Sequence, residues 1–300
     1  MSESTIPPTS STARPPRVLM PLPRRGFDPT ETDAPWKMLK AEGVDVVFAT
    51  PDGQPGEADP WMLAGGVDVL GPFGPFLIAD ANGRAAYRKM ALSPEFQAPI
   101  SYADIEPDTD TFDGLVLPGG HAQGMKEYLD SGELQAKVAA FFELRKPIGA
   151  ICHGVLLAAR CRRADGRSVL EGYRTTALTE QMELFAWNLT KAHVGDYYRT
   201  YPKTLQREVT ELIGQGVFDP GPQLPAALGV PAALGALRAL IGNTETSNTL
   251  LKTGVFRDRP DFDGPAYTVC HGDHYLSARW PGDAFTFGKR FLALLRGGRC

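Results

Sequence analysis

Apolar positions fall in two rhythms along this chain, and the rhythms alternate. Short apolar runs come first: Arg17 to Pro21 (RVLMP), Val44 to Ala49 (VDVVFA), Phe112 to Leu117 (FDGLVL) and Pro147 to Ile151. Runs of this length, rich in branched residues and bounded by turn residues, predict buried strands. Between them lie stretches with helical spacing. Trp36, Leu39 and Lys40 mark a helix over 34–42, with Gly43 placed to end it. Leu134, Val138, Phe141 and Phe142 form one helix face. Arg174 to Leu178 (RTTAL) reads as a further strand. Strands alternating with helices predict a parallel sheet covered by helices on both faces.

Other stretches break the alternation. Residues 54–110 are rich in Gly, Pro and Asp, with one short helix over 85–90, and read as an excursion from the core. Residues 185–261 read as a mostly helical insertion. Leu205, Val209, Leu212 and Ile213 give it one helical face, and Leu234, Leu237 and Ile241 a second. Tyr267 to Cys270 and Tyr275 to Arg279 flank a hairpin turn, and Asp283 stands where it can cap a last helix carrying Phe287, Phe291, Leu294 and Leu295. Residues 1–16 are Ser/Thr/Pro-rich and read as a disordered leader, without the basic and apolar regions of a secretory signal. The remainder, 17–300, reads as a single domain.

Composition narrows the function. The chain has 300 residues, 43% of them hydrophobic, and a formal net charge of -4. The charge offers no electrostatic attraction to nucleic acid or to an anionic membrane. No apolar run of membrane-spanning length occurs. Four cysteines (Cys152, Cys161, Cys270 and Cys300) form no CxxC pair, so mostly free thiols and a cytoplasmic location are expected.

One cysteine stands apart. Residues 145–160 read RKPIGAICHGVLLAAR: an apolar run ends in Cys152-His153-Gly154 and an apolar helix begins at once. A strand turning sharply into a helix lifts the turn side chain out of the packed layer and aims the helix N-terminus at it. A cysteine there is a candidate nucleophile, expected to have a lowered pKa. Cys-His-Gly recurs at Cys270, but between two strands, where no helix dipole reaches it. Cys161 is expected to pack, and Cys300 to be a mobile, oxidisable thiol. His153 is a candidate proton relay. His271 and His274, with Asp273 between them, are a weak metal pattern, and no metal or other cofactor is expected. Gly119-Gly120, at the end of a strand, would let backbone N–H groups approach an oxyanion.

Three blocks, FDGLVLPGGH (112–121), AICHG (150–154) and ETDAP (31–35), resemble the PfpI/ThiJ superfamily, and the tail block YLSARWPGDAFTFG is similar to members with long C-terminal halves. The resemblance implies a class I glutamine-amidotransferase-like, flavodoxin-like α/β fold with a cysteine nucleophile elbow. It assigns Cys152 as nucleophile and Glu31 as the carboxyl group that hydrogen-bonds its sulfur and shuttles protons. It places His153 in the catalytic group, with Glu180 as a third acid. Backbone N–H groups at Gly120 and His153 would hold the oxyanion, with Gly119, His121 and Tyr87 beside the substrate. PGGH followed by CHG looks most like the glyoxalase III and heat-shock chaperone branch. That branch implies conversion of a small 2-oxoaldehyde such as methylglyoxal to a 2-hydroxy acid, a stress-response setting and a homodimer. The alternatives are a cysteine hydrolase or hydratase, of amidase, peptidase or isocyanide hydratase type, and a stress chaperone or redox sensor. His121-Ala122-Gln123 departs from the His-Gly of many members. The two long insertions add Trp187, Tyr197 and Tyr198, beside Tyr87, as candidates to line the pocket.

Overall fold

A computed structural model describes residues 14–64, 78–79, 81–108, 110–223, 252–254 and 257–299. Its centre is a seven-stranded sheet built from the apolar runs. In chain order the strands are β1 (Arg17–Pro21), β2 (Arg25–Phe27), β3 (Asp45–Thr50), β4 (Glu57–Ala58), β5 (Ile100–Ser101), β6 (Gly114–Leu117), β7 (Ile148–Ile151), β8 (Arg174–Thr175), β9 (Val217–Phe218), β10 (Thr268–His271) and β11 (Tyr275–Ala278). The main sheet runs β10-β11-β7-β6-β1-β3-β5. Only the β10–β11 pair is antiparallel. β6 and β7 are buried at every position, which is why their sequences show continuous apolar runs rather than alternation.

The order places the site. From β1 the chain moves outward to β3 and β5, then returns to lay β6 and β7 on the other side. The connections therefore diverge between β1 and β6, and a crevice opens beyond the carboxyl ends of these strands.

The first helix, Pro29–Ala41, begins earlier than the apolar stripe predicts. Asp28 caps it, its Oδ1 accepting from the N–H groups of Thr30 (2.8 Å) and Glu31 (3.0 Å), and Pro29 occupies the first turn. These five extra residues carry Glu31 into the crevice.

The 54–110 stretch is partly core rather than excursion. Its helix Ala81–Ala91 packs on the first helix, and β5 joins the sheet edge beside β3. Met90, Phe96, Tyr102 and Ile105 are buried. Elements of two to four residues between glycines and prolines carry no readable period.

The expected strand over Arg174 to Leu178 shortens to β8, which pairs with β9 outside the main sheet. In the insertion, the helix Glu180–Val194 starts before residue 185. The helix Leu205–Leu212 buries Leu205 and Val209 and packs against the His153–Arg160 helix. The second face, at Leu234, Leu237 and Ile241, lies outside the described residues.

Asp283 does not cap the last helix, Ala284–Leu295. Its carboxylate turns back to a fully buried ion pair with Arg279 and also accepts the Tyr267 N–H (3.0 Å). Asp258 caps instead, receiving the N–H groups of Phe285 (3.4 Å) and Thr286 (2.6 Å).

Candidate active site

Cys152 sits on a strained elbow. Its backbone has φ 54° and ψ −123°, a conformation worth about 1–3 kcal/mol of strain for a side-chain-bearing residue. The surroundings impose it. The Cys152 N–H donates to Ala278 O at 3.1 Å, and the helix His153–Arg160 starts at the next residue. Gly154 lets that helix press on the end of β6: a Cβ there would lie 2.0 Å from the Leu117 carbonyl oxygen. The thiol is buried, as is His153, whose Nδ1 lies 3.5 Å from Cys152 Sγ.

Glu31 meets this thiol from the opposite wall. It is wholly buried and lies close enough to Cys152 to raise the pKa of the thiol. Its Oε2 accepts the Gly119 N–H at 2.9 Å, and its Oε1 has no hydrogen-bond partner. Burial, and then the negative charge of Asp28, push the Glu31 carboxyl well above the usual carboxylate range.

The expectation of a lowered Cys152 pKa is overturned. Burial raises it well above the ordinary thiol value, and the charges of Glu31 and Asp28 raise it further. The His153 N–H at the helix start pulls the other way and is the weaker influence. Each of the two groups is pushed toward its protonated form, and the pair titrates together rather than as isolated groups.

The two histidines here are neutral. His121 stacks on His153 with ring centroids 6.2 Å apart and planes at 13°, and packs on Tyr198 at 4.6 Å. Burial brings the His121 pKa down to about 4 and that of His153 well below its ordinary value, the latter also through its histidine and arginine neighbours.

The structure brings Cys152, Glu31, His153, Gly119 and His121 together. Gly119 plays a different part from the one expected, because its N–H is held by Glu31. Space rather than a free donor explains this glycine: a Cβ would meet His153 N at 2.6 Å and Glu31 Oε2 at 2.8 Å. The Gly120 N–H has no partner among the described residues and fits the oxyanion role better. Tyr87 receives the Ala58 N–H at 3.2 Å and packs against Phe27, so its hydroxyl ties β4 to the neighbouring helix.

Glu180 is not with this group. Its carboxylate accepts from Thr204 Oγ1 at 2.7 Å and pairs with Arg207 at the surface. Among the described residues no carboxylate hydrogen-bonds His153. The first turn of the Glu180–Val194 helix points its acids toward the insertion, a direction that sequence adjacency to β8 does not reveal. Trp187 is half-buried, its Nε1–H donating to Asp196 Oδ1 at 3.0 Å.

Two of the buried acids that the sequence left unmarked lie near this site. One is Asp28, whose signal was the Asp-Pro pair that opens a helix. The other is Asp59, whose Oδ1 accepts the Tyr197 hydroxyl at 3.2 Å, with burial raising its pKa to about 6. Thr200 Oγ1 donates to His121 O, and Gln123 Nε2 to Asp196 O and Arg199 O. The 195–200 loop of the insertion thus lies over His121.

The remaining candidates are structural. Cys161 is buried and donates to Leu157 O, and Cys270 is disulfide-bonded, while Cys152 and Cys161 are free, as expected of most of the cysteines. His274 Nε2 lies 2.9 Å from the Tyr173 hydroxyl, and His271 Nδ1 accepts the Arg174 N–H. Among the described residues, no group of three or more His, Cys, Asp or Glu could hold a metal ion, and no helix is long and apolar enough to cross a membrane. Cys300 lies outside the described residues.

A family model described as ThiJ/PfpI family-like matches residues 22–209, a stretch holding the first helix, the glycine turn and the elbow. The chain belongs to the ThiJ/PfpI family. Within it, an uncharacterised protein of Schizosaccharomyces pombe is 29% identical over 128 residues, 43% of this chain and 46% of that one. Protein DJ-1 homolog D of Arabidopsis thaliana is 28% identical over 138 residues, 46% of this chain and 30% of that one. The match therefore spans less than half the length of either relative. The fold is shared with glyoxalase III of Candida albicans, with a TM-score of 0.58 and 15% identity, covering 93% of this chain and 97% of that one. It is shared equally with the Rapid Encystment Protein of Francisella tularensis, with a TM-score of 0.58 and 15% identity, covering 93% and 99%.

Proposed function

We propose that this ThiJ/PfpI protein is a cofactor-independent cysteine enzyme that converts a small 2-oxoaldehyde, such as methylglyoxal, to the 2-hydroxy acid. The observation that carries this reading is the buried Glu31 carboxyl group, held by the Gly119 N–H against the Cys152 elbow, where its charge raises the pKa of the thiol. The reaction needs a nucleophile and a single group able to take a proton from one carbon and return it to the next.

The sulfur of Cys152 adds to the aldehyde carbon, and the thiol proton ends on the new hydroxyl, giving a hemithioacetal. Glu31, as carboxylate, removes the proton from that carbon and leaves an enediolate. The same carboxyl returns a proton to the former ketone carbon, and the hydroxyl proton of the former aldehyde carbon passes to the neighbouring oxygen. The aldehyde carbon is thereby oxidised and its neighbour reduced, with no external oxidant. The product is a thioester of the 2-hydroxy acid, and water cleaves it to release the acid and restore the thiol. A carboxyl group whose pKa is raised by burial is suited to exchanging protons near neutral pH. The neutral His153 can orient the water, and the Gly120 N–H can face the developing oxyanion.

A hydrolase of the Cys-His-acid type fits less well. Its histidine needs an orienting carboxylate, and Glu180 is engaged with Arg207 and Thr204.

The test is lactate formation from methylglyoxal by the pure protein, by Cys152→Ser and by Glu31→Gln. Wild type is expected to form lactate and Cys152→Ser none, with Glu31→Gln slowed by about 10²–10⁴-fold. Absence of lactate with the wild type overturns the assigned reaction. Full activity in Glu31→Gln overturns the proton shuttle.

A further inference from the structure

Three hydrogen bonds close a ring around the base of the site. The Glu31 N–H donates to Asp28 Oδ1 (3.0 Å), the Gly119 N–H donates to Glu31 Oε2 (2.9 Å), and the Asp28 N–H donates to Gly119 O (2.8 Å). The ring joins the start of the first helix to the glycine turn after β6, across the point where the strand order reverses. Asp28 is 1% exposed, and its second oxygen, Oδ2, is buried without a hydrogen-bond partner. An ordinary helix cap sits at a surface and needs no charge, since Ser, Thr and Asn serve as well. A buried aspartate with one idle oxygen, three residues from the catalytic carboxyl group, calls for another reason.

We propose that Asp28 is a positioning residue that, through this ring and its own charge, sets the acidity of the Glu31–Cys152 pair. The proposal rests on the pairing of Glu31 with Cys152 and not on the identity of the substrate. The ring fixes where the Glu31 carboxyl stands relative to the sulfur. The Asp28 carboxylate, close by and poorly solvated, opposes negative charge on the pair, so it favours the protonated forms of Glu31 and Cys152. Among the causes that raise Glu31, the charge of Asp28 ranks after burial alone, and the same charge acts on Cys152. Other groups face this cluster. Asp59 and Tyr198 lie on the Asp28 side, with Arg257 as a counter-charge, while Asp283 acts on Glu31, whose charge in turn reaches Tyr128, and neutral His153 adjoins the sulfur. Asp28 is the one among them that is hydrogen-bonded to the Glu31 backbone.

The experiment is the pH dependence of iodoacetamide alkylation at Cys152, followed by mass spectrometry of the Cys152 peptide on the full chain. It is run on wild type, Asp28→Asn, Asp28→Ser and Glu31→Gln, with a thermal melt of each. Asn and Ser keep the helix cap and remove the charge. Both variants are expected to melt close to wild type and to shift the alkylation midpoint to lower pH by about one unit, the size expected of a neighbouring buried charge. The shift is expected to shrink when Asp28→Asn is made in the Glu31→Gln background. An unchanged midpoint in a folded Asp28→Asn or Asp28→Ser variant overturns the proposal and leaves Asp28 as a cap. Because no 2-oxoaldehyde is used, failure here and failure of the assigned reaction are separate results.

Discussion

Gly119→Ala measures how tightly the site is built. The new Cβ would stand 2.6 Å from His153 N, 2.8 Å from Glu31 Oε2 and 2.8 Å from Ile151 O, all under the 3.0 Å that real Cβ atoms respect. Two of the three neighbours are backbone atoms of the elbow and cannot rotate aside. To reach ordinary contact near 3.4 Å, the surroundings must open by about 0.6–0.8 Å in an interior with little free space. That movement breaks the 2.9 Å bond from Gly119 N–H to Glu31. Overpacking of this kind costs about 1–3 kcal/mol and a lost hydrogen bond to a charged group about 1.5–3 kcal/mol, so the change destabilises by roughly 3 kcal/mol or more. In a chain of this size the melting temperature should fall by about 6–12 °C. Because displacement of reacting groups by about 1 Å can cost about 10²-fold in rate, lactate formation should fall by at least that factor even well below the melting temperature. Calorimetry and the lactate assay are run beside Gly132→Ala, where an added Cβ meets nothing within 4 Å and no loss is expected. If Gly119→Ala melts within a degree of Gly132→Ala and retains its activity, the packing of the glycine turn against Glu31 and the elbow is wrong.

Two further outcomes follow from the same structure. Glu180→Gln should leave lactate formation at the wild-type level, because its carboxylate serves Arg207 and Thr204; a loss comparable to that of Glu31→Gln would return Glu180 to the active site. Asp258 is buried, and its pKa is raised to about 7 from 3.8. Its unfolded form ionises first as pH rises, so this group withdraws stability progressively from about pH 4 to about pH 7. Asp258→Asn should therefore melt progressively higher relative to wild type as pH increases across that window, and a constant difference would show that Asp258 keeps an ordinary pKa in the fold.

Much of the sheet was legible because buried parallel strands have no polar face. RVLMP, VDVVFA, FDGLVL and the run before Cys152 are apolar on both sides, and all four became strands of one sheet. The elbow was legible for a related reason. A strand of four residues abutting an apolar helix leaves no room for a loop, so Cys152 had to occupy the turn. Elements of two residues, such as β5, β8 and β9, were not legible, since their partners lie far away in sequence and no period fits within them. Glu31 stood out only through the family resemblance.

The sequence by itself determined the alternation of strands and helices, the cysteine at the end of β7 and the glycines that let the turns approach each other. These depend on local sterics and on apolar periodicity, which act between neighbours in the chain. The tertiary structure alone decided which acids meet that cysteine. It brought Asp28 and Glu31 to the sulfur and left Glu180 at the surface, and it decided that the thiol is held above rather than below its ordinary pKa. A pKa follows from desolvation and from charges across space. Those are set by which strands lie side by side, and the crevice between β1 and β6 exists only once the sheet has formed.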